Sequence, residues 1–207
     1  MSKTEILSVN KLKQEYSKRK SKIKQRLKDF SSVPQKDYFY EFCFCLLTPQ
    51  SSAYRCWDAV VGLKKDDFLN KDVHPKKHLG KVRFHNNKSK YLLEWKDKHQ
   101  KIITEIIKTK NSYNLREFLV ENIKGMGYKE ASHFLRNIGR RNLAILDRHI
   151  LKNLVKYGAM KELLKSMTKK QYFEIEKKFM KFADKIGIPM DELDLLFWSM
   201  ETGKVFK

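Results

Sequence analysis

The chain has 207 residues, enough for one large domain or two small ones with a substantial core, and a formal net charge of +21 from 45 Lys+Arg against 24 Asp+Glu. No apolar run reaches the roughly eighteen residues of a spanning helix, and the basic opening lacks the apolar segment of a secretory signal. The charge is clustered: residues 1–28 hold ten basic and two acidic side chains and residues 74–101 hold nine and two, so these blocks carry +15 of the +21. That density points to a polyanion partner, with nucleic acid ahead of a membrane surface and a solvated lysine-rich exterior as the plain alternative.

In chain order, Ile6, Val9, Leu12, Tyr16, Ile23, Leu27 and Phe30 trace a helical stripe with lysines opposite, which predicts an amphipathic helix over the opening residues. Residues 38–47 are apolar almost all round, a buried helix that ends at Thr48-Pro49-Gln50-Ser51-Ser52. A helix resumes over 53–63, residues 64–85 read as irregular, and a long helix follows over about 86–108. Cys43, Cys45 and Cys56 are odd in number and lie in apolar surroundings. They read as reduced thiols of an intracellular compartment, packed as small hydrophobes. With no fourth thiolate and no Cys-x-x-Cys spacing, no iron–sulfur cluster, structural metal or other cofactor is expected.

Residues 114–121 read as a helix capped by Asn114, and residues 129–138 as another, with Ala131, Phe134, Leu135 and Ile138 on one face and a stop at Gly139. Between them lies Ile123-Lys124-Gly125-Met126-Gly127-Tyr128. Two glycines allow a tight turn, and the next helix opens with unpaired N–H groups and a positive dipole end, a geometry that binds phosphate. A turn between two packed helices also needs glycine for steric reasons alone. Beyond it come helices over 148–157, 160–166, 168–186, with Thr168 and Gln171 forming a capping box, and 190–200 opened by Pro189. No strand or internal repeat is visible. The fold class is all-α, with two helical lobes around a central cleft. Residues of about 1–60 and 168–207 share one lobe and about 61–167 form the other, which holds the helix-hairpin-helix motif.

Lys129 stands in the first turn after the hairpin, where the dipole end and partial burial disfavour the ammonium form, so that the amine can serve as a nucleophile. Asp147 follows the apolar run 143–146 and opens the next helix. It reads as an N-cap, and equally as a carboxylate held ionised to stabilise positive charge on a sugar. Four histidines from His74 to His99 have no metal-like spacing and read as surface phosphate contacts.

Residues 123–131, Ile-Lys-Gly-Met-Gly-Tyr-Lys-Glu-Ala, and residues 144–150, Ala-Ile-Leu-Asp-Arg-His-Ile, resemble the helix-hairpin-helix Gly/Pro-Asp superfamily of DNA glycosylases. Leu46 to Ser51 extend the likeness. The short length, the basic element Val82 to Lys88 and the closing lysine make the chain most similar to the archaeal-type, second class of 8-oxoguanine DNA glycosylase/AP lyase. It departs from endonuclease III-like members in lacking four cluster cysteines. The resemblance implies base-excision repair: Lys129 attacks C1′ of a flipped nucleotide, Asp147 assists, and β-elimination nicks the strand 3′ to the lesion. It further implies that Gly125 and Gly127 hold a backbone phosphate, that Gln50 fills the gap in the duplex, and that Arg83 adds phosphate affinity. Lys207 would lie near the base pocket. 8-Oxoguanine carries an N–H donor at N7 where guanine has an acceptor, and a terminal carboxylate would answer it. Trp198 is the candidate stacking platform.

The expected partner is duplex DNA containing 8-oxoguanine, met by a monomer inside the cell at the nucleoid, with no membrane and no obligate protein partner. Two alternatives stay open. One is a glycosylase for oxidised pyrimidines or mismatched thymine, and the other is a non-catalytic hairpin DNA-binding protein.

Overall fold

A computed structural model describes the backbone of residues 3–207 and side chains from residue 7 onward, so the expected stripe position Ile6 lies outside the described side chains. Among the described residues all regular structure is helical: nine α-helices, two short 3₁₀ turns and no strand. No described helix is long and apolar enough to cross a membrane. The chain divides into two compact units, residues 33–138 and residues 1–32 with 139–207.

The continuous unit is built around α2 (Tyr38–Leu47), in which every residue from Phe39 to Leu47 is buried. Its all-round apolar surface is covered by α3 (Ala53–Lys65), α4 (His85–Lys108) and α6 (Tyr128–Asn137). Trp95 of α4 stacks on Phe42 at 3.8 Å between ring centroids and donates its indole N–H to the carbonyl of Phe39 at 3.2 Å. The polar tip of this large apolar side chain is thereby satisfied inside the core. Helix α5 (Ser112–Asn122) packs on α6. Its cap is Asn111, whose side chain accepts from the N–H groups of Tyr113 and Asn114, so the helix starts two residues before the expected Asn114. The three cysteines are free and buried.

The discontinuous unit pairs α1 (Lys3–Ser31) with α9 (Met190–Thr202), which also packs on α7 (Arg148–Lys156) and α8 (Lys169–Ile186). Val9, Leu12, Ile23, Leu27 and Phe30 are buried while Lys11, Lys13, Lys18, Lys20, Lys22, Lys24 and Lys28 are exposed, as the stripe predicts. The capping box of Thr168 and Gln171 is present at the start of α8. Residues 160–166 form turns and bends in place of the expected short helix, because only Met160 is buried and Leu163 faces solvent, which leaves no apolar face to dock.

The unit boundaries also differ from the expected ones near residues 60 and 168. Helices α2 and α3 belong with α4 and α6, because the apolar faces of α2 close onto them, while α7 joins α9.

Candidate functional site

The hairpin joins α5 to α6 within the continuous unit. Gly125 has φ +84°, and a Cβ there would stand 2.5 Å from a ring carbon of Tyr91, so glycine is required both by the backbone and by close approach. Gly125→Ala is expected to lower stability by about 1–3 kcal/mol, read from the urea midpoint, because the left-handed strain adds to displacement of the Tyr91 ring. Gly127 is different. Its backbone is extended, at φ −92° and ψ 178°, and it is the N-cap of α6. A Cβ at this position would meet only the carboxylate tip of Glu130, at 2.9 Å. The first-turn N–H groups of α6 are thus presented at a glycine edge, where an anion can approach the backbone.

Lys129 lies in that first turn. Its Nζ is 2.7 Å from Oε1 of Glu130 and 3.5 Å from Oγ1 of Thr48, and its side chain is 22% exposed. Thr48 Oγ1 donates to the carbonyl of Cys45 at 2.9 Å, so the hydroxyl presents a lone pair toward the lysine. The α2–α3 loop therefore borders the candidate nucleophile. Gln50, on the same loop, is exposed and left-handed at φ 54°. A non-glycine residue held there signals a constrained local geometry.

The residues on either side of Gln50 are bonded by Lys88, the last residue of the basic element 82–88. It is buried at 4% exposure. Its ammonium donates to the carbonyls of Leu47 and Pro49, each at 2.7 Å, and to Oγ of Ser51 at 3.0 Å. The same Ser51 Oγ accepts from the backbone N–H of Arg83 at 3.0 Å. Burial pulls the Lys88 ammonium down to about 8. Its position was legible in one respect: residues 88, 92 and 95 share a helical face, and Leu92 and Trp95 are core.

Arg83 is exposed, with its guanidinium carbon 5.5 Å from the ring centre of Phe84. Phe84 is also left-handed, at φ 57°, and exposed, a large aromatic side chain that no sequence motif marks. An open groove of about 560 Å³ is lined by Arg55, Asp58, Gly80, Lys81, Val82 and Arg83. Three cations along one groove suit a phosphate backbone. Three of the four histidines have internal partners: Nδ1 of His74 accepts from the N–H of Lys76 at 3.3 Å, Nε2 of His78 lies 2.9 Å from Oδ2 of Asp66, and the ring of His99 packs edge-on to Phe39.

In the other unit, Asp147 caps α7, with Oδ1 accepting from the N–H of Ile150 at 2.8 Å. The buried extended run 143–146 delivers it there, held by side chains in place of a sheet. Glu176 accepts from the N–H of Ala144 at 2.8 Å, the hydroxyl of Tyr172 donates to the carbonyl of Ala144 at 2.5 Å, and Asp191 accepts from the N–H of Asn142. These partners satisfy backbone groups that burial would otherwise leave unpaired. At the end of α9, Gly203 at φ 82° turns the chain, and Phe206 comes to lie 6.1 Å from Trp198, centre to centre. The tail 205–207 is half-buried. Phe197 is core, stacked on Tyr157.

Of the residues singled out from sequence, Gly125, Gly127, Lys129, Gln50 and Arg83 lie in the continuous unit, and Asp147, Trp198 and Lys207 in the discontinuous one. Among the described residues no group of three or more His, Cys, Asp or Glu is placed to hold a metal ion.

Comparison with known proteins adds to this geometry. A family model described as 8-oxoguanine DNA glycosylase matches residues 23–188. An 8-oxoguanine DNA glycosylase/AP lyase of Fusobacterium nucleatum is 48% identical over 212 residues, covering 96% of this chain and 97% of that protein. The crystal structure of the Methanocaldococcus jannaschii 8-oxoguanine glycosylase/lyase, in complex with a 15mer DNA containing 8-oxoguanine, superposes with a TM-score of 0.88. It is 32% identical and covers 97% of this chain and 100% of that one. The 8-oxoguanine DNA glycosylase of Thermotoga maritima gives a TM-score of 0.87 at 31% identity, covering 98% and 100%.

Proposed function

Because the chain belongs to the 8-oxoguanine DNA glycosylase family, we propose that Lys129 and Asp147 carry out its reaction, the excision of 8-oxoguanine from DNA followed by cleavage at the abasic site. The protein is a DNA glycosylase and AP lyase of base-excision repair. The observation that carries the residue assignment is the placement of a half-buried lysine amine in the first turn after a glycine hairpin.

The damaged nucleotide leaves the stack, since its glycosidic carbon is out of reach inside the duplex. Lys129 leaves its ion pair with Glu130, sheds a proton and attacks C1′. The C1′–N9 bond breaks and the base departs with its electron pair, taking up a proton. The nitrogen gives up a further proton, the C1′–O4′ bond breaks with O4′ taking up a proton as the sugar ring opens, and a Schiff base results. Removal of a C2′ proton then expels the 3′ phosphate by breaking the C3′–O bond. Asp147 stabilises the cationic sugar and moves protons, with its Oδ1 anchored on the α7 cap so that the carboxylate is oriented before reaction. Gly125 and Gly127 bring hairpin amides to a neighbouring phosphate, and Arg83 with the basic groove adds affinity that falls with salt. Gln50 occupies the gap in the stack. Trp198 and Lys207 read the base, supported by the packing of Phe206 on Trp198, which anchors the tail beside α9. The protein acts as a monomer on DNA inside the cell and needs no protein partner for chemistry, since both reactive groups come from one chain.

The test is borohydride trapping on duplexes bearing 8-oxoguanine, an oxidised pyrimidine or no lesion. A covalent adduct with the 8-oxoguanine duplex is expected, and preference for the pyrimidine lesion would overturn the substrate assignment. Deleting Lys207 should narrow the preference for 8-oxoguanine over guanine by about tenfold, the scale of one lost hydrogen bond to a buried polar edge. An unchanged ratio removes the tail from recognition.

A further inference from the structure

We propose that Lys88 is a positioning residue for this reaction. Its buried ammonium holds the 47–51 loop from beneath, so that Thr48 meets the Lys129 amine and Gln50 keeps its left-handed turn. The proposal rests on reading Lys129 as the nucleophile.

A buried lysine charge is costly, and an apolar side chain of similar size filling the same space is commonly as stable or more so. Stability alone therefore does not account for an ammonium at this position. Its three hydrogens have three oxygen partners, at 2.7, 2.7 and 3.0 Å, and all three lie within five residues of one loop. Such a loop would otherwise be free to relax, because Pro49 breaks the helix and Gln50 holds an unfavourable backbone conformation.

The effects reach the site in two directions. On one side, Leu47 and Pro49 flank Thr48, whose Oγ1 accepts at 3.5 Å from the Lys129 amine. Fixing both neighbouring carbonyls fixes that hydroxyl. On the other side, Ser51 Oγ links the ammonium to the backbone N–H of Arg83 and so ties the groove segment to the same loop. The carbonyl of Leu47 also accepts from the Cys56 thiol at 3.1 Å, which closes the network in the core. One side chain thus sets the register between the nucleophile, the gap-filling glutamine and the phosphate-facing arginine. A misplacement of about 1 Å at a reacting centre is enough to cost on the order of a hundredfold in rate.

The experiment is single-turnover excision of 8-oxoguanine at varied enzyme concentration, which separates the maximal rate from half-saturation, with thermal melting in parallel. Native protein, Lys88→Met, Ser51→Ala and Lys129→Gln are compared. Lys88→Met should lower the maximal rate about tenfold or more while half-saturation moves less than about threefold. Ser51→Ala, which keeps two of the three bonds, should lower it about threefold. A maximal rate within about twofold of native in Lys88→Met overturns the proposal, as does a loss confined to half-saturation and melting temperature. Should Lys88→Met not fold, Ser51→Ala decides, and a native maximal rate there overturns it. A borohydride adduct that persists in Lys129→Gln would instead overturn the nucleophile assignment, a separate outcome from any result at Lys88.

Discussion

Lys129→Gln is expected to abolish the borohydride-stable adduct and to lower strand nicking by on the order of a thousandfold or more. That corresponds to about 4 kcal/mol of lost transition-state stabilisation. Glutamine is one bond shorter but keeps an N–H donor on the Thr48 side, and its amide has no basic lone pair to form a carbon–nitrogen bond. The fold should survive, because Lys129 is half-buried at a helix start and its ion pair with Glu130 is local. Melting temperature and duplex affinity are the controls. An adduct that forms at the native rate would show that another of the chain's lysines is the nucleophile.

The second large effect is expected at Asp147→Asn. Asparagine caps helices about as well as aspartate, so the bond to the N–H of Ile150 can be kept and stability should change by only a few tenths of a kcal/mol. The charge, however, is lost. Excision should fall about a hundredfold to a thousandfold, the range seen when a group aimed at developing charge is neutralised, with duplex binding nearly unchanged. Comparison with Asp147→Ala, which also removes the cap, separates the two roles of one carboxylate. Equal excision by Asp147→Asn and the native protein would reduce Asp147 to a cap.

The helices were legible because each writes its burial as a period: the α1 stripe, the all-apolar α2, the capping box of α8. The hairpin and Asp147 were legible because glycine spacing and a carboxylate before an apolar helix are local signals. What escaped was the set of groups whose roles depend on distant partners. Lys88 looks like any other lysine of a basic block, and its burial follows only once α2 and its loop lie over it. Glu176 and Tyr172 lie on α8, and nothing in their spacing points to the distant run leading to Asp147, whose backbone they satisfy. Phe84 sat in a segment read as irregular, and its exposure is a matter of backbone conformation that no periodicity encodes. Residues 160–166 failed in the opposite sense, a short apolar pattern with nothing to dock against.

The discontinuity of one unit has a consequence for how the chain is made. Helix α1 leaves the ribosome before the continuous unit, but its packing partner α9 begins only at Met190, more than 150 residues later. Residues 33–138 form a contiguous unit able to condense while the following residues are still being translated, whereas the α1 stripe, with Leu12 and Ile23, stays uncovered by α9 until that helix emerges. The dense lysines on the other face of α1 then act as a solubilising coat during that interval, keeping an orphaned amphipathic helix from self-association before its partner arrives.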